Sequence, residues 1–113
     1  MARADRLERL EALRIAAELE YKDVLVEALQ RSAAGSWGLF GHNQDRTARA
    51  KWQPTVADLC DRGEDIDRMR ATLGLERFAL HLEFEAARGS VPANAPGEPK
   101  QARAWLERLG KNL

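Results

Sequence analysis

The sequence predicts an all-α protein: an antiparallel bundle of about four helices, with a loop of glycines and aromatics after the first long helix. Three observations predict it. Apolar residues recur at three- and four-residue steps along much of the 113-residue chain. The stretches with that period stop at Gly or Pro. No segment alternates apolar and polar residues as a half-buried strand would. With no internal repeat and no low-complexity tract, the whole chain, 1–113, reads as a single helical domain.

The first helix is expected over about residues 4–32. It holds no Gly or Pro and is rich in Ala, Leu, Glu and Arg. Leu10, Leu13, Ala17, Tyr21, Val24 and Ala28 form one apolar stripe, and Ile15, Leu19, Val26 and Leu29 form a second beside it. Asp5/Arg9, Glu18/Lys22 and Glu27/Arg31 stand four apart with the acid first, an arrangement worth ~0.3 kcal/mol per pair. Gly35 is the expected stop, as a C′ residue. A Gly-x-x-Gly-x-x-Gly loop follows, and then a short helical turn over about residues 45–51.

Pro54 suits the first position of a second long helix, to about Leu73, with Thr55 as the alternative cap. Its buried face would comprise Val56, Leu59, Cys60, Ile66, Met69 and Leu73. Gly63 falls on that face and either breaks the helix or permits close approach of a neighbour. A third helix, about residues 76–88, would turn Phe78, Leu82 and Ala86 inward. Residues 89–98 read as loop, and Pro99 opens a last helix with Trp105, Leu106 and Leu109 apolar, ending at Gly110.

Composition narrows the function classes. At 44% hydrophobic and 32% charged residues, the chain is globular, not disordered. Lys+Arg and Asp+Glu both number 18, which removes the bulk electrostatic case for nucleic acid or an anionic membrane. The single cysteine, Cys60, rules out an intramolecular disulfide. No signal peptide is expected, because the N-terminal residues lack an apolar run. No stretch approaches the ~18 apolar residues that span a bilayer. A soluble, cytoplasmic protein of a reducing compartment is expected. Arginines outnumber lysines 14 to 4, a bias of GC-rich bacterial genomes.

The candidate site is the segment Trp37, Gly38, Phe40, Gly41, His42 and Asn43. Aromatics in a connection either stay exposed, forming a partner or ligand site, or lid the open end of the bundle. The glycine spacing is neither a dinucleotide fingerprint nor a P-loop. Asp58, Asp61, Glu64, Asp65 and Asp67 crowd one helix, but Arg62, Arg68 and Arg70 are interleaved, so a salt-bridged face is expected and no metal. His81 and Glu85 supply too few ligands for zinc. His81 reads as a core-edge histidine bonded to a neighbour, and Cys60 as a small buried hydrophobe. Arg46, Arg49, Lys51 and Trp52 are the one basic and aromatic cluster, and a solvated face is its expected role.

Trp37-Gly38-Leu39-Phe40-Gly41-His42-Asn43, together with Gly97-Glu98-Pro99-Lys100 before a helix containing Trp105-Leu106, resembles small uncharacterised helical proteins of proteobacteria. The resemblance spans most of the chain. It implies no activity and no catalytic residue. The functional expectation is a self-associating helical interaction module, with no cofactor. It would bind a protein partner or a second copy through the N-terminal helix, which offers more apolar girth than three helices cover. The alternatives are a small enzyme or metal-binding protein using His42, His81 or Cys60 with the acidic helix, and a nucleic-acid-associated regulator.

Overall fold

A helix of 32 residues, α1 (Ala2–Ala33), sets the length of the molecule. At ~1.5 Å per residue it runs for ~48 Å, most of the 55 Å long axis. The computed structural model describes residues 2–36, 38–40, 46–88 and 98–110. These form α1, α2 (Arg46–Thr72), α3 (Ala79–Ala87) and α4 (Glu98–Arg108), an all-α bundle with no strand among the described residues. α1 is central: α2 and α4 both pack on it, while α3 packs on α2.

The α1–α2 seam follows from sequence spacing. Tyr21, Leu25, Ala28 and Ser32 are buried on α1 at alternating steps of four and three. Trp52, Leu59, Gly63 and Ile66 are buried on α2, with Val56 half-buried in the same row. Both are heptad-like rows that interdigitate along nearly antiparallel helices. Arg31 lies over the Trp52 ring at 4.4 Å, Glu20 meets Arg62 and Glu18 meets Arg70. Numbers fall on one helix as they rise on the other, so the pair is antiparallel. At its far end the seam turns ionic. Glu18 accepts from Arg14 (2.7 Å) and from Arg70 (2.8 Å).

Helix ends follow glycine. Gly35 (φ 110°) and Gly74 (φ 74°) take the left-handed conformation that closes a helix. The Ser36 N–H returns to the Arg31 carbonyl at 3.1 Å, and the Leu75 N–H to that of Arg70 at 2.8 Å, the six-to-one bond of a Schellman end.

Four expectations need correction. First, the turn expected over residues 45–51 and the helix expected from Pro54 are one continuous α2, with Pro54 inside it. Pro54 and Ala50, whose carbonyl the proline leaves without its helical donor, are both exposed, so that carbonyl is open to solvent. Trp52, fully buried, pins the preceding turns to the core. Second, α3 buries His81 and Phe84, while Leu82 and Ala86 face outward. The apolar stripe misplaced the face because Gly63 makes a notch that accepts an imidazole. Third, Glu98 is not loop: it opens α4 and is fully buried. Fourth, Glu18 pairs with Arg14 and Arg70 rather than Lys22, and Asp5/Arg9 and Glu27/Arg31 form no ion pair among the described residues.

Candidate interaction site

Of the six residues singled out after α1, Trp37, Gly41, His42 and Asn43 lie outside the described residues. Gly38 and Phe40 are inside, and both are buried. Phe40 sits 5.8 Å from the Trp105 ring and 6.0 Å from Phe84, as a lid residue would. Leu39 is equally buried, and its carbonyl accepts from Arg88 Nε at 3.0 Å. Gly38 has φ 130°, so the backbone turns where a side chain would strain it. The buried Glu98 carboxylate holds this turn: it accepts the Gly38 N–H, and the Phe40 N–H at 3.2 Å. Sequence reading missed Glu98. The available signal was an acid directly ahead of Pro99 at a helix start, where carboxylates favour the N-terminal end.

His81 occupies the notch between α1, α2 and α3. A Cβ on Gly63 would come 2.2 Å from its Cδ2. Nδ1 lies 2.7 Å from the Tyr21 hydroxyl. Glu85 Oε1 is 2.6 Å from Nε2, without the alignment of a hydrogen bond. Burial, then the charges of Cys60, Glu85 and Asp67, push the Tyr21 phenol well above the usual tyrosine range. Burial, then Glu85, also pushes the Cys60 thiol up, which keeps it protonated and a poor nucleophile.

Three of the five acids on α2 pair with arginines. Asp58 pairs with Arg62 (3.1 Å), Asp65 with Arg68 and Asp67 with Arg77 (3.0 Å). Asp67 also accepts the Phe78 N–H at 2.8 Å, which ties the residue ahead of α3 to α2. Among the described residues no three His, Cys, Asp or Glu side chains come together to hold a metal. In the basic and aromatic cluster, Lys51 is exposed but Trp52 is fully buried, and the side chains of Arg46 and Arg49 lie outside the described set.

No family model, curated protein or solved structure matches this chain.

Elsewhere, most of the exposed large apolar side chains among the described residues lie on the N-terminal half of α1, with Leu75 and Leu82 beyond it. Leu13 and Leu19 are each 61% exposed and Ile15 47%. Ile15 and Leu19 form one wall of a cleft of about 270 Å³, with Glu18 and Lys22 on the same helix and Phe78 and Leu80 opposite. His81, Tyr21, Glu85 and Cys60 do not line this cleft. Among the described residues, no helix is long and apolar enough to cross a membrane.

Proposed function

We propose that this chain is a helical interaction module that offers the N-terminal half of α1 to an amphipathic helical partner. One observation carries the reading: Ile15 and Leu19 stay exposed on a long, regular helix and line an apolar cleft with Phe78 and Leu80. A cleft of this shape fits the apolar stripe of a helix laid beside α1. The buried Phe40 supports moving the contact surface from the loop to the helix. The arginine bias and single cysteine support a bacterial cytoplasmic setting.

The test is a double variant, Ile15→Gln/Leu19→Gln, titrated against a fluorescent synthetic helix of Leu, Glu and Lys heptads. Stability should change by no more than ~0.5 kcal/mol per site, the range of surface substitutions. Binding should weaken by more than about tenfold, since each buried aliphatic side chain contributes ~1.5–3 kcal/mol. Destabilisation by ~2–5 kcal/mol per site, with peptide binding intact, would mark both as core residues and defeat the proposal.

A further inference from the structure

We infer that the occupant of this cleft is α1 of a second copy, laid antiparallel about a two-fold axis near Ala16. The inference rests on the interaction-module reading and names its partner. Three observations carry it.

The first is a stripe. Glu8, Ala12, Ile15, Leu19, Lys22 and Val26 follow one another at alternating four- and three-residue steps, a second heptad row beside the α2 seam. Ala12 and Ala16 are small and exposed, so two such helices can approach closely.

The second is the ledger of charges. Glu11, Arg14, Glu18 and Arg70 are joined in ion pairs, yet Arg9, Lys22 and Asp23 engage none among the described residues. Laying Ile15 of one copy against Leu19 of the other brings Ala16 beside Ala16. The same register sets Arg9 against Asp23 of the second copy and turns Lys22 toward its Glu8 and Glu11. Symmetry makes each pairing twice. A parallel alignment leaves Arg9 without an acid, whereas the antiparallel one supplies Asp23, so the Arg9 charge favours the antiparallel pair.

The third is the overhang. The ionic end of the seam lies at Arg14, and residues 3–9 are exposed throughout. So short a helical extension is marginal in water by itself. In the antiparallel pair, with Arg9 set against Asp23, residues 3–9 lie beside residues 23–29 of the neighbouring α1.

The deciding experiment uses two full-length single variants, Arg9→Glu and Asp23→Arg, studied by sedimentation and native mass spectrometry. The wild type should be a dimer. Each variant alone should dissociate at least about tenfold more readily, because two attractive pairs become repulsive. Mixed, the two variants should form a heterodimer, since every 9–23 contact is then again between opposite charges. The double variant Arg9→Glu/Asp23→Arg should dimerise like wild type. Far-ultraviolet dichroism checks that each variant stays folded. A monomeric wild type at ~100 µM, well above the micromolar Kd of a weak specific pair, overturns the inference. A dimer indifferent to both reversals overturns it as well. If the wild type is monomeric yet binds the heptad peptide through Ile15 and Leu19, self-pairing fails and the interaction module stands. If it does neither, both fall.

Discussion

Gly63 shows how much one missing side chain organises. It admits the His81 ring to the α1–α2 seam, where the ring meets the Tyr21 hydroxyl. In Gly63→Ala the new methyl group would lie 2.2–2.5 Å from three ring atoms. Alanine gains ~1 kcal/mol of helix propensity. Against that stand overpacking at ~1–3 kcal/mol and a lost hydrogen bond at ~1 kcal/mol. A net destabilisation of ~1–3 kcal/mol is expected in urea titrations, and Gly63→Ala/His81→Ala should cost less than the sum of the two singles. A more stable Gly63→Ala protein would show that the notch is not tight. Tyr21 makes a second residue-scale prediction. Its folded pKa is raised, and an unfolded tyrosine ionises near ~10. Below that value the phenol leaves stability unchanged. Above it the unfolded chain sheds a proton that the folded chain keeps, so stability falls as pH rises. Cys60 acts in the same direction. Tyr21 is the sole tyrosine, so phenolate absorbance reads it alone. The signal should appear together with loss of helical dichroism. Ionisation near the ordinary value with the helix content intact would contradict the buried hydroxyl.

At the scale of elements, the ends of helices were legible and their faces less so. Gly35 and Gly74 stop helices where glycine was expected to, because the left-handed turn needs no long-range partner. α3 was misread in its face, since Phe78, Leu82 and Ala86 do share a stripe. What overrode the stripe was a notch on another helix, and hydrophobic period carries no information about a neighbour's missing Cβ. Pro54 misled for a related reason: its cost depends on whether the freed carbonyl reaches water, which the chain alone does not reveal. Glu98 is the element-scale prediction. It ties the first turn of α4 to the backbone at Gly38 and Phe40. Glu98→Ala leaves those buried donors unsatisfied and should cost ~2–4 kcal/mol. Glu98→Gln, which keeps one carbonyl acceptor, should recover part of that. Amide exchange at Gly38 and Phe40 should accelerate selectively in Glu98→Ala. Unchanged exchange there would show that the carboxylate does not hold the turn.

For the whole molecule, the sequence specified an all-α bundle with a first helix broader in its apolar girth than its neighbours cover. The structure shows why that surplus exists. α2 and α4 both pack on α1 and α3 packs on α2, and across the cleft from Ile15 and Leu19 stand Phe78 and Leu80. The aromatic loop drew attention as a site because its chemistry is conspicuous. Its described residues are instead core, since Phe84 on α3 and Trp105 on α4 were waiting for Phe40. That partnership crosses more than forty residues in both cases and has no local signature in the chain.

The same long reach has a consequence in time. The ties between Glu98 and the turn after α1, and between Arg103 and the Ala33 carbonyl, span 58 to 70 positions. A ribosome adding residues one by one releases α1 first and α4 last. α1 can pair with α2 as soon as both have emerged, but the surface that α4 covers stays bare until nearly the whole described chain has been made. During synthesis the central helix is therefore half-clothed until α4 emerges.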